Sequence, residues 1–197
     1  MDLLNILQSQ LSDDVLEQIG QQIGADKQQT AQAANGVMTS LLGGLANNAS
    51  QEGGLSSLMG ALDRNHDGSV LDDIMGLIGN GGQGAGASDG MGILGHVLGG
   101  NQEVVAQQVS ERSGLNMSQV MKLMPILAPI VMGALGKMRS EGGLKLEDLP
   151  GLLMGTAQNS AQNAGMGDLL GSVLGNVLGG GNSNKGGLGG LLGGLFK

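Results

Sequence analysis

Residues 26–48 read DKQQTAQAANGVMTSLLGGLANN, and this stretch decides the fold. Val37, Leu41, Leu42 and Leu45 recur at the spacing that puts apolar side chains on one stripe of a helix, so a long helix is predicted from about Asp26 to Asn48. Upstream, Ser12 followed by Asp13 and Asp14 has the form of an N-cap with acids in the first turn, and Gly24 is a stop signal. The rest of the composition agrees with helices. Of 197 residues 40% are hydrophobic, enough for a core, but there is one Phe and no Trp or Tyr, so aliphatic side chains and twelve Met must fill it. Strand-favouring residues are sparse and no period-two alternation is sustained. The expected class is all-α. Forty glycines, each costing about 1 kcal/mol inside a helix relative to Ala, must partly serve as caps and linkers.

A net charge of −8 argues against nucleic acid as a partner and against a strong attraction to anionic membrane surfaces. With no Cys there is no disulfide, thiolate metal site or cysteine nucleophile. The opening MDLLNILQSQLSDD lacks the basic and apolar regions of a secretory signal, which makes the cytoplasm the expected compartment. The most apolar stretch, VMKLMPILAPIVMGALGKM at 120–138, carries two lysines and two prolines, so no membrane span is expected. Pro125 and Pro129 each remove a helical hydrogen bond and predict a kinked or broken helix there.

The second half repeats the first at an offset of about 90 residues. Val15, Ile19 and Gly24 match Val105, Val109 and Gly114; Leu41, Gly43, Leu45, Ser50 and Gly53 match Val131, Gly133, Leu135, Ser140 and Gly143. Further on, LMG at 58–60 meets LMG at 153–155, and DIMGLIGN from Asp73 meets DLLGSVLGN from Asp168. The expected organisation is a helical bundle of two related halves, 1–79 and 91–179, joined by a Gly-rich linker at 80–90 and followed by a flexible Gly/Leu-rich tail at 180–197.

Chemistry concentrates in ALDRNHDGSVLDDIMGLIG, residues 61–79. An EF-hand loop supplies calcium with oxygens from positions 1, 3, 5, 7 and 12, with Gly at 6. Asp63, Asn65 and Asp67 occupy the first three, Gly68 the turn, and Ser69 offers its carbonyl. Val70 has the apolar character of an anchor. The twelfth position is Ile74, so Asp72 and Asp73, one or two residues early, must replace the usual bidentate ligand. Where the first copy has DRNHDG the second has QNSAQN, so a turn alone does not require these acids. Crowded carboxylates repel, take up protons or bind a cation. The alternative is an Asx-turn at Asp63 with Asp72 and Asp73 at the next helix N-terminus. Calcium is thus the one cofactor implied, with His66 outside its oxygen-ligand set.

No other constellation carries a reaction. His96, in GILGHVLGG, has no acid or second His nearby and reads as a packed histidine. The serines lack a nucleophile elbow and the glycine runs lack a P-loop lysine, so an enzyme is not expected. Gly167, Gly171, Gly175 and Gly179, beside Leu170, Leu174 and Leu178, predict a helix over about 168–178 that lets another helix approach closely. The tail NKGGLGGLLGGLFK reads as a tether with a sticky end. Self-association through helices and tail follows as an expectation, with membrane-surface attachment through the tail as the rival.

The opening MDLL, the helical half ending in GGL, the loop DRNHDGSVLDDIMGLIG and the closing Gly-Leu tail together resemble the bacterial family called domain of unknown function 937, related to the YidB-like proteins. The resemblance implies a small helical bacterial protein. It supplies no substrate, reaction or catalytic residue.

Overall fold

The computed structural model describes residues 3–65, 71, 74–79, 85–141 and 148–163. Among these residues every regular element is helical, and the fold is all-α. The elements are α1 (Leu3–Gln10), α2 (Asp13–Ile23), α3 (Lys27–Ser50), α4 (Gly54–Asn65), α5 (Ile74–Gly79), α6 (Ala85–Leu98), α7 (Gln102–Ser113), α8 (Met117–Ser140) and α9 (Leu149–Asn163). A short 3-10 turn, Gly99–Asn101, joins α6 to α7.

Local chemistry sets the first corner. The Ser12 hydroxyl accepts from Val15 N–H at 3.5 Å, opening α2. Gly24 closes it in the left-handed region at φ 73°, where other residues are strained. Two residues on, the Asp26 carboxylate accepts from Gln29 N–H at 2.8 Å and starts α3. The second corner uses the same devices. Gly114 stops α7 at φ 76°, and Asn116 opens α8 with a capping box: its side chain accepts from Gln119 N–H, while its own N–H donates to the Gln119 side-chain oxygen.

Helices α3 and α8, each 24 residues long, are central. The sequence marks one stripe of α3 for burial, and Val37, Leu41, Leu42 and Leu45 are indeed buried. So is almost everything around them from Ala33 to Ala49. Small residues make this workable: a β-carbon at Gly44 would lie 2.7 Å from the Val97 carbonyl of α6, a distance only glycine tolerates. The hydroxyls of Thr39 and Ser40 bond back to the Asn35 and Gly36 carbonyls, so their burial leaves no orphan donor. Helix α9 packs along α3 and α6 along α8, with α1 also against α8.

Two expectations are corrected. Of the kinked or broken helix predicted at Pro125 and Pro129, the break is excluded: α8 runs as one element through both. An interior proline costs about 3 kcal/mol. Ile126, Leu127, Ala128 and Ile130 are at most 1% exposed, and burying a large aliphatic side chain contributes roughly 1.5–3 kcal/mol, which is enough to hold the helix together. Pro129 also deprives the Pro125 carbonyl of its usual helical donor. Gly90 of α6 packs against that carbonyl, where any β-carbon would overlap it. Second, residues 85–90, expected in the linker, begin α6. Helix α8 has the length and composition of a membrane span, but 78% of its most apolar window is buried inside the protein, as in a core helix. The expected helix at 168–178 and the tail at 180–197 lie outside the described residues.

Candidate functional site

In sequence, the candidate calcium-binding stretch runs from the end of α4 to the start of α5. Helix α4 leaves the end of α3 through Gly53, at φ 75°, and Gly54, whose β-carbon would run into the Asn48 carbonyl. It carries Leu58 into the core and packs on both α3 and α8. Its backbone stays helical through Asn65, so Asp63 and Asn65 belong to its last turn. Asp67, Ser69, Asp72 and Asp73, like His66 and Val70, lie outside the described residues. The chain is placed again at Leu71, which is buried, and in α5, where Ile74, Leu77 and Ile78 are buried. Helix α5 packs on α2 and α8.

Ile74, the residue at the twelfth position, is 6% exposed. It is a core side chain, and its burial explains why no carboxylate stands there: an unpaired charge at that site would lose its hydration. The described residues hold no group of three or more His, Asp or Glu placed to grip a metal.

His96 is not packed as expected. It lies on the outer side of α6, exposed, with Nδ1 3.2 Å from the Gly92 carbonyl, a bond it makes only with the proton on Nδ1. The inner side of the same turn is taken by Leu94, Val97 and Leu98. What the turn contributes is backbone. Asn48 of α3 donates its side-chain N–H to the His96 and Val97 carbonyls at 2.7 and 3.3 Å, satisfying acceptors that the end of α6 leaves open.

Two glutamines unremarked in the sequence join the corners. Gln119 Nε2 donates to the Gly24 carbonyl at 2.6 Å, while the same side chain's oxygen caps its own helix. Gln29 Nε2 donates to the Gly114 carbonyl at 3.5 Å. Their local signal was present, since Asp26-x-x-Gln29 and Asn116-x-x-Gln119 both have capping-box spacing. Their reach across the molecule was not encoded in that spacing.

The described residues define a class: an all-α protein on two central helices, with the short helices α4 and α5 resting on one of them on either side of an acid-rich stretch of sequence. The chain belongs to the family of bacterial proteins of unknown function DUF937, whose family model matches residues 5–138. That span runs from α1 almost to the end of α8 and includes the loop. No curated protein and no solved structure matches the chain.

Proposed function

We propose that this is a non-enzymatic calcium-binding protein with a structural or protein-interaction role in the bacterial cytoplasm. The ion is held in the 63–73 loop by Asp63, Asn65, Asp67, the Ser69 carbonyl and one oxygen from Asp72 or Asp73. One observation carries the reading: α4 and α5 flank the loop as entering and exiting helices, and both are seated on α8. A loop fixed at both ends loses less conformational entropy on closing around an ion.

The helical end of α4 adds a condition. Residues two apart on a helix do not share a face, so joint ligation by Asp63 and Asn65 requires its last turn to unwind. With that cost and Ile74 at the twelfth position, affinity falls at the weak end, a dissociation constant on the order of 10 μM to 1 mM, with magnesium a poor competitor. Calorimetric titration of metal-free protein should give one site per chain, with amide shifts confined to about 60–76. The Asp67→Ala variant should lose the heat, and His66→Ala should keep it. No heat and no shifts at millimolar calcium would overturn the proposal.

A further inference from the structure

In an interface between identical partners related by a two-fold axis, residue i of one meets residue j of the other, and j meets i. The contact between the two helix pairs of this chain has that form. Gln119 donates to Gly24 and Gln29 donates to Gly114; Gln29 corresponds to Gln119, and Gly24 to Gly114, at the same sequence offset. Both glutamines stand three residues past an N-cap, and both glycines are left-handed stops, at φ 73° and 76°. The helices follow suit: α2 touches α8 as α7 touches α3, α1 touches α8 as α6 touches α3, α4 touches α8 as α9 touches α3, and α3 crosses α8.

We propose that this seam is self-complementary and that the partner it fits is a second copy of this chain, the first helix pair of one copy closing on the second helix pair of another. Every polar link across the seam is then made equally well within one chain or between two. Length of tether decides between them. Only residues 80–84 separate the end of α5 from the start of α6, and a short tether holds its ends at an effective concentration on the order of millimolar. Closure within the chain therefore dominates in dilute solution. Exchange of halves takes over when chains refold at comparable concentration.

The chain has no cysteine, so introduced thiols are the only ones. Full-length Ala25→Cys and Ser118→Cys proteins, which keep both glutamines of the seam, are mixed in equal amounts, opened in urea, refolded at millimolar and at micromolar concentration, and treated with a short bismaleimide after dilution. Millimolar refolding should give covalent dimers containing one chain of each kind, with two-chain mass by light scattering, and micromolar refolding should give at least tenfold fewer. The double variant, refolded dilute, should link within one chain. Single-chain species alone after millimolar refolding, with the double variant still linking internally, would overturn the proposal. Failure of the double variant to link would overturn it too, since the seam itself would be absent.

Discussion

The helix pairs α2–α3 and α7–α8 share a frame and differ in what fills it. In both, a left-handed glycine stops the first helix, a capped start follows two residues later, and a 24-residue helix runs through the core. Inside that frame the central helices have opposite characters. Helix α3 buries Gly36, Thr39, Ser40, Gly43 and Gly44; the matching stretch of α8 buries Ile126, Pro129, Ile130, Gly133 and Ala134. One offers a surface that other backbones approach closely, and the other supplies bulk. The difference shows that caps and stops set where these helices begin and end, while side-chain volume sets how near their neighbours come.

The comparison is broken most severely by removing bulk. Leu127 of α8 is fully buried and stands where α3 has Val37, also fully buried. Leu127→Ala should cost about 2–5 kcal/mol and Val37→Ala less, about 2 kcal/mol, in urea unfolding followed by circular dichroism. Equal losses would show that α3 is not the helix of smaller volume at this level.

Next come the close approaches. Gly44→Ala should destabilise by about 1–3 kcal/mol, because the new β-carbon meets the Val97 carbonyl at 2.7 Å, even though Ala134 occupies the matching place in α8. Gly90→Ala should cost a similar amount against the Pro125 carbonyl. Gly92→Ala and Gly95→Ala, on the open side of α6 with nothing within 4 Å, should instead stabilise by about 0.5–1 kcal/mol. Thermal melts of the four variants separate the two sides of the helix.

These glycines also mark where the sequence could be read and where it could not. Ser12, Gly24 and the start of α3 were legible because each is a local device with its own residue signature. The course of α8 was not. A proline rule counts the lost hydrogen bonds, but the burial of Ile126, Leu127 and Ile130 that outweighs them comes from helices distant in sequence. The start of α6 was hidden for a related reason: Gly90 reads as linker composition, and only the nearby Pro125 carbonyl reveals it as a packing requirement. His96 was misjudged because its neighbours in sequence are apolar, whereas its place on the turn faces outward. At the loop, the spacing of oxygen-bearing residues was readable from residue types, whereas the burial of Ile74, where an EF-hand loop would have its twelfth position, was set by packing that the spacing does not encode.

The caps give a smaller effect. Asn116→Ala and Asp26→Ala should each cost about 1 kcal/mol, because each loses one side-chain acceptor for the third backbone N–H of its helix, while the other bond of the Asn116 capping box is donated by its backbone N–H and survives the substitution. Urea titration of the two variants in parallel would test this, and clearly unequal losses would show that the two caps are not equivalent.

The smallest expected effect tests the frame most finely. At the first corner Lys27 Nζ lies 2.7 Å from Asp13 Oδ2, with side chains 44% and 82% exposed. The matching residues at the second corner are Met117 and Glu103, both exposed. Met117→Lys therefore places the same charge pair at the same spacing on the other helix pair and removes an exposed apolar side chain. Solvent-exposed pairs contribute only about 0.2–1 kcal/mol, so the substitution should change overall stability by less than about 0.5 kcal/mol. The informative quantity is the coupling. A double-mutant cycle of Met117→Lys with Glu103→Gln, set beside one of Lys27→Met with Asp13→Asn, should return two coupling energies of similar size. Both should shrink in 1 M salt, where charges are screened within about 3 Å. A measurable coupling at the first corner and none at the second would mean that the two corners, alike in caps and stops, hold their first helical turns at different distances.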